Sequence, residues 1–393
     1  MRNLATIQRI VNIRPIPDAD KIEAIDVLGW TVVSSKGTHS IGDLVIYFEI
    51  DSWLDATDTR YASFEERFSN WGDRRGMRLK SIRLRKQLSQ GLIMPIKEFT
   101  EIVNPVEGMD VTELLKVDKW ESLSEQRQNQ SSSSKSTTGQ FPSFIRKTDQ
   151  ERVQNRIGEL QGMKDQTFEV TVKLDGSSMT VFHVNNQSVQ YADIIQEVND
   201  RAMRRMTMWG KAWFKFKKLL GLDKDPEFMQ GVCSRNIQLM PGDTDRFSQY
   251  AKDNNIIDKL QVLNRNIALQ GELIGPNIQE NYEKTACNEY YVYDIFDIYK
   301  QCYLLPEEAF MTTKSLGLNY VPILETQLKL SSFGDLDNSD PENLRSIVDK
   351  ILTYAEGAGM KPGVKREGVV FKSTSTDKSM KAISNSYLLK KDK

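Results

Sequence analysis

Hydrophobic positions along this chain change their spacing twice. Over residues 1 to about 116, short apolar runs are separated by turn residues: Thr31-Val32-Val33, then Leu44-Val45-Ile46-Tyr47-Phe48 after Gly42-Asp43, then Leu92-Ile93-Met94 after Gly91. Runs of this length, rich in β-branched and aromatic residues, predict a barrel of short strands. Glu125 to Gln140 (EQRQNQSSSSKSTTGQ) contains no apolar residue. It cannot join a core and predicts a flexible Ser/Gln-rich linker over 125–140. After Phe141 helical and alternating patterns mix: Asp149 to Leu160 reads as a helix and Thr167 to Val184 as a hairpin. The expected organisation is a β-barrel domain over 1–124, the linker, and an α+β domain over 141–393.

Composition agrees with this division. A chain of 393 residues exceeds one ordinary core. Its 39% hydrophobic and 27% charged residues are those of a globular protein without a membrane span. The opening MRNLATIQRI lacks the apolar core of a secretory signal, so an intracellular protein is expected, in cytoplasm or nucleus. Cys233, Cys287 and Cys302 stand far apart, without a CxxC, which argues against a zinc site or a disulfide framework and for buried or half-buried thiols. Only His39 and His183 exist, so chemistry must rest on Lys, Arg, Asp and Glu. Net charge is 53 minus 54, or −1, so any nucleic-acid affinity must come from local basic patches.

In TFEVTVKLDGSS, residues 167–178, Phe168, Val170 and Val172 alternate with Glu169, Thr171 and Lys173. Alternation puts Lys173 and Asp175 on one strand face, and Gly176 lets the backbone turn and approach a ligand. A Lys-x-Asp-Gly match alone arises by chance in roughly one chain of this length in ten, where it is an exposed turn. Its context is more informative. Glu272 lies in the apolar run ALQGELIG, where an isolated carboxylate would be costly unless paired, metal-bound or on an edge strand facing water. YYVYDIFDIY, residues 290–299, carries Asp294 and Asp297 in a run too apolar for an edge. In REGVVF, alternation puts Glu367 with Val369 and Phe371 and turns Lys372 away, which excludes Lys372 from the site.

KLDG at Lys173–Gly176, SRN at Ser234–Asn236, GELIG at Gly271–Gly275, YDI at Tyr293–Ile295, REGVVFK at Arg366–Lys372 and MKAISN at Met380–Asn385 resemble, in order, the motifs of the covalent nucleotidyltransferase superfamily of ligases and capping enzymes. The likeness is greatest to ATP-dependent RNA ligases with an N-terminal OB-like domain. It extends through PIPDADKI (Pro15–Ile22), YFEIDS (Tyr47–Ser52), RLRKQLSQG (Arg83–Gly91) and FIRKTDQERVQN (Phe144–Asn155). DNA ligases and capping enzymes usually carry their OB domain after the final lysine motif, and 393 − 381 = 12 residues follow Lys381. The resemblance implies an OB-like β-barrel ahead of a nucleotidyltransferase domain of antiparallel sheets with flanking helices.

It further implies that Lys173 takes AMP from ATP, that AMP passes to an RNA 5′-phosphate, and that a 3′-hydroxyl displaces it, with a nicked duplex among the acceptors. Arg235 would meet the ribose or RNA end, Glu272 the ribose or metal, Tyr293 the adenine, Glu367 the metal and Lys381 the α-phosphate. Tyr293 stands where Phe is more usual, which preserves the ring face. Lys378 and Lys381 are three apart, unlike the closely spaced pair of the family, and Lys378 is left out. Arg152, on the predicted helix after the linker, is a candidate phosphate contact or a solvated arginine. Attack requires a neutral amine, whereas at an ordinary pKa only about one lysine in 2,500 is neutral at pH 7. Asp175 touching Lys173 would stabilise the ammonium form, so Asp175 needs another partner. Mg²⁺ or Mn²⁺ suits an oxygen-only ligand set of Glu272 and Glu367.

Two basic patches are candidates for RNA contact. Between Arg74 and Lys86 seven of thirteen residues are Lys or Arg. Arg78, Lys80, Arg83, Arg85 and Lys86 could line a single-strand groove, against the alternative of a solvated face. Asn199–Leu220 mixes Arg201, Arg204, Arg205, Lys211, Lys215, Lys217 and Lys218 with Met, Trp and Phe. It reads as a basic amphipathic helix for substrate contact or one whose aromatic face packs on the domain. The competing functions are a guanylyltransferase, a DNA ligase, an RNA-binding protein with an inactive nucleotidyltransferase domain, and a scaffold. No membrane and no obligate protein partner are expected.

Overall fold

A computed structural model describes the chain except residues 1, 122–136, 187–190, 192–194, 197–202, 204–205, 220–227, 240–244 and 392–393. The N-terminal strands are β1 (Ala5–Pro15), β2 (Ile22–Val27), β3 (Trp30–Ser35), β4 (Leu44–Phe48) and β5 (Leu92–Pro95). They form one antiparallel sheet in the order β5-β4-β1-β2-β3. The sheet curls because its inward residues, Ile7, Ile10, Ile25, Trp30, Val45 and Phe48, are all fully buried and must cover one another. A smaller sheet of Ser52–Asp55, Ser69–Trp71, Arg74–Arg78 and Asp118–Lys119 completes an OB-fold. The hairpin Ser81–Leu84 and Gln87–Gln90 projects from it through Arg85 and Lys86, both in the left-handed conformation.

The C-terminal domain is built on two sheets. The first holds β6 (Glu151–Arg152), β7 (Thr167–Lys173), β13 (Ile323–Lys329), β14 (Gly368–Ser373) and β15 (Ser379–Ile383), in the order β6-β15-β14-β7-β13. The second contains β8 (Ser177–Asn185), β9 (Phe228–Cys233), β10 (Ile237–Leu239), β11 (Ile267–Ile274) and β12 (Glu289–Asp297). Its order is Thr137–Gln140, β10, β9, β8, β11, β12, Cys302–Tyr303.

Two expectations from periodicity are corrected here. Thr167–Val184 is not a hairpin: β7 pairs with β13 and β14, β8 pairs with β9 and β11, and the chain crosses between sheets at Leu174-Asp175-Gly176. Both strands are buried on both faces, and the polar residues Glu169 and Thr171 are buried too. Glu169 is tolerated there because Tyr320 donates to it at 2.9 Å. Asp149–Leu160 is not a helix. It forms the short strand β6, parallel to β15, followed by turns, because its backbone pairs with β15 and with the barrel.

Of the predicted linker, residues 125–136 lie outside the described residues, and Thr137–Gln140 pairs with β10. Cys233 is buried, while Cys287 and Cys302 are exposed rather than half-buried. Among the described residues no helix is long and apolar enough to cross a membrane.

A dense seam joins the two domains. Trp30 Nε1 donates to Asn155 Oδ1 at 2.6 Å, and Gly29 N donates to Gln154 O at 2.9 Å. The C-terminal helix, Asn385–Lys391, buries Tyr387 and Leu388 in the same apolar cluster as Trp30, Val45 and Ile50 of the barrel.

Candidate active site

The crossing from β7 to β8 forms the floor of a cavity of about 180 Å³ between the sheets. Lys173, the last residue of β7, points into it. Its ammonium donates to Glu367 Oε2 at 2.9 Å. Burial works against that charge, but Glu367, Glu272 and Asp175 outweigh it and hold the Lys173 pKa above its ordinary value. Glu272, on β11, enters from the facing sheet, and burial with Glu367 and Asp175 nearby pushes its carboxyl up to about 8. Burial raises Glu367 as well, against the pull of Lys173. The lysine and its acids form a coupled group in which negative charge is in surplus.

Glu367 reaches Lys173 for a reason that alternation does not capture. It precedes β14, and Arg366 beside it is anchored on the last carbonyls of the helix Pro341–Ala355, donating to Ala355 O at 3.0 Å and Glu356 O at 2.8 Å. With Arg366 held there, Glu367 accepts from Lys173 ahead of the strand while Val369 and Phe371 lie in the core. The exclusion of Lys372 is therefore corrected: Val370 and Lys372 face the cavity. Lys372 pairs with Asp294 Oδ1 at 2.7 Å and lies 6.0 Å from the centre of the Tyr293 ring. Tyr293 also lines the cavity, its hydroxyl 2.9 Å from Ser178 Oγ.

Lys381, on β15, is mostly buried, and burial depresses it to about 8. Its Nζ lies 3.4 Å from Asp149 Oδ1, which also faces Arg235 at 4.0 Å. Although burial opposes its ionisation, Lys381 and Arg235 hold Asp149 below the usual carboxylate range. Gly176 is required for a different reason from the one read in its motif. A Cβ there would meet the Leu273 carbonyl at 2.4 Å and Ile274 Cγ2 at 2.7 Å, so the glycine is demanded by the neighbouring strand. Asp175 is not the ion-pair partner of Lys173: its Oδ1 lies 3.8 Å from Lys391 Nζ, while Lys173 pairs with Glu367.

Arg152 does not line the cavity. It is buried in the domain seam on β6, not on a helix, 3.5 Å from Glu49 and 5.6 Å from the centre of the Trp30 ring. Besides Lys372, several residues that the sequence reading did not place in the site do line it: Thr148, Asp149, Gln150 and, from the N-terminal domain, Lys119 and Glu121. The run FIRKTDQ carried a local signal for three of these; nothing local marks Lys119. No group of three or more His, Cys, Asp or Glu among the described residues is arranged to hold a metal.

The first basic patch divides. Arg78 is spent on Asp51 at 2.6 Å and stacks on Trp120 at 3.9 Å, and Lys80 is half-buried. Arg83, Arg85 and Lys86 are exposed at the hairpin tip. In the second, Arg201, Arg204 and Arg205 lie outside the described residues. Met208–Leu219 is a helix on which Trp209 and Trp213 are exposed rather than packed on the domain.

An OB-fold ahead of a two-sheet domain, with a lysine at the sheet crossing and acids converging on it, defines a nucleotidyltransferase. An OB-fold domain model matches residues 4–96, and the RNA ligase model matches residues 166–383. No curated protein matches the chain. Among solved structures, a mutant of the Naegleria gruberi RNA ligase with ATP and Mn is 38% identical, covers 99% of each chain and superposes with a TM-score of 0.79. The same ligase with PPi is 39% identical over 100% of each chain, with a TM-score of 0.79. A further mutant with AMP and Mn is 39% identical over 100% of each chain, with a TM-score of 0.78. The chain belongs to the RNA ligase family.

Proposed function

We propose that this RNA ligase is ATP-dependent and joins RNA 3′-hydroxyl and 5′-phosphate ends through a lysine–AMP intermediate on Lys173. The observation that carries the reading is the convergence of Lys173, Glu272, Lys381 and Tyr293 on one cavity, with Glu367 hydrogen-bonded to Lys173. Support comes from the Naegleria ligase, whose structures contain ATP, AMP, PPi and Mn.

In the first step Lys173 Nζ attacks the α-phosphorus of ATP, the bond to the bridging oxygen breaks, and pyrophosphate leaves. An oxygen of the RNA 5′-phosphate then attacks the same phosphorus, and the Lys173 nitrogen is the leaving group. Finally the 3′-hydroxyl attacks the 5′-phosphorus and expels AMP. Tyr293 offers a ring face to the adenine, with Val370 and Val321 as apolar lining. Lys381, depressed to about 8 by burial, stays mainly charged at neutral pH and is held more firmly in that form as an α-phosphate oxygen approaches. Asp175, Gly176 and Arg235 border the ribose side.

The donors fit a divalent cation, because they are hard oxygens in a site where burial, with Glu367 and Asp175 nearby, drives Glu272 up to about 8. Glu272 and Glu367 would hold Mg²⁺ or Mn²⁺, with water and nucleotide oxygens as the other ligands, and the ion would offset the charge that keeps Lys173 protonated. Arg83, Arg85 and Lys86 are the exposed cations available to an RNA backbone, whereas Arg78 is engaged within the protein.

The test is covalent labelling with α-labelled ATP or GTP and divalent metal, followed by denaturation. Wild type should retain label from ATP, and Lys173→Ala should lose it by at least about 10³-fold. Label from GTP would favour a guanylyltransferase. No label from either, together with an intact mass unchanged by pyrophosphate, would leave an RNA-binding protein with an inactive domain.

A further inference from the structure

Asp175 stands two residues from Lys173 in a region already rich in negative charge, since Glu272, Glu367 and Glu283 all surround this loop. A carboxylate free to turn back toward Lys173 would compete with Glu367 for the ammonium and with the nucleotide for the space around it. What faces Asp175 comes from the end of the chain. The C-terminal helix α1 (Asn385–Lys391) brings Lys391 Nζ to 3.8 Å from Asp175 Oδ1 and to 2.9 Å from the Tyr387 hydroxyl, to which it donates. Having accepted from Lys391, the phenol has its own proton to give, and the carboxylates around it are Asp175 and Glu367.

Tyr387 is held to a single orientation. It is buried, its ring meets Tyr282 edge-on at 5.1 Å and 82°, and Lys391 lies 5.3 Å from its centre. The start of α1 is tied down as well: Ser386 N donates to Glu356 Oε1 at 2.9 Å, and Tyr387 N donates to Ser384 Oγ at 3.1 Å. A helix seven residues long would be marginal alone. Here it is fixed by these contacts and by the barrel core into which Tyr387 and Leu388 insert.

We propose that Tyr387 and Lys391 are positioning residues for lysine adenylylation: they hold the Asp175 carboxylate on the side away from Lys173, leaving Glu367 as the partner that Lys173 exchanges for the nucleotide. This rests on Lys173 being the nucleophile. Neither residue touches the reacting atoms, so their effect must pass through Asp175.

A double-mutant cycle tests it in single-turnover labelling of the full chain by ATP and divalent metal, with wild type and Lys173→Ala as controls. Tyr387→Phe, which keeps the ring and its packing, should slow labelling about tenfold, and Lys391→Met severalfold, with Lys391→Arg restoring most of the rate. In an Asp175→Asn background the same substitutions should change the residual rate by less than about twofold, because the charge they restrain is gone. Equal slowing in both backgrounds, or none in the wild-type background, overturns the proposal. Absence of label in wild type together with an intact mass unchanged by pyrophosphate, or label that survives Lys173→Ala, overturns the nucleophile assignment instead, so the two failures are distinct.

Discussion

Glu283 is fully buried, and neither of its carboxylate oxygens has a hydrogen-bond partner among the described residues. The Asp175 and Met360 backbone N–H groups lie toward it without closing a bond of ordinary geometry. Burial pushes it from 4.5 to about 7. A carboxyl whose folded pKa exceeds its unfolded one holds its proton longer in the folded state. Its stabilising contribution is therefore complete below the unfolded value and is lost as pH rises through the folded one. We expect the metal-free protein to lose up to about 3 kcal/mol between pH 4.5 and 8 from this residue. Denaturant melts of wild type and Glu283→Gln across that range check it, and parallel curves would refute it. At this scale the reactive residue types were legible: Lys173, Glu272, Tyr293, Glu367 and Lys381 do meet. Lys372 was not, because the period-two rule was applied from Glu367, which stands outside the strand. Arg152 was misread because its environment is made by Glu49 and Trp30, more than a hundred positions earlier in the chain.

Among the elements, the turn between β7 and β8 controls the site. It carries Lys173 out of one sheet and Ser178 into the other, and Gly176 at its end packs directly on the Leu273 carbonyl. Gly176→Ala must push that carbonyl away or lift the turn. We expect a stability loss of roughly 1–3 kcal/mol. Labelling of Lys173 should fall by about 10²-fold, since a displacement of about an ångström suffices for that. Full-rate labelling by a folded Gly176→Ala protein would show that the turn does not position the lysine. The strands themselves were legible from their apolar runs. Their partners were not, because a strand buried on both faces carries no alternation to say which neighbour it joins.

For the molecule as a whole, the seam between domains matters because it reaches the cavity through the backbone. Val153 N donates to Lys381 O at 2.9 Å, and the next residue, Gln154, accepts from Gly29 of the barrel. A Cβ on Gly29 would meet Gln154 Cα at 2.7 Å and its carbonyl oxygen at 2.9 Å. Gly29→Ala should therefore loosen the seam, costing about 1–3 kcal/mol, enlarging the radius of gyration in solution scattering and slowing Lys173 labelling. An unchanged melting temperature and scattering profile would sink this expectation. Lys119 and Glu121 reach the same cavity from the N-terminal domain, so the OB-fold helps to build the site it precedes.

Local spacing by itself determined the change from short β segments to mixed α and β patterning and several of the strands, while the order of the motifs, through their resemblance to a known family, pointed to the OB-fold and to Lys173 and its neighbours. Those properties depend on short-range order: turn residues end strands, apolar runs bury, and chemistry needs particular side chains. The tertiary structure alone decided that the KLDG motif crosses between sheets, that Lys372 faces the cavity and Arg152 the seam, and that Asp175 answers to the last helix. Each of these rests on contacts between residues far apart in the chain, whose energies arise only when burial and charge pairing are satisfied together.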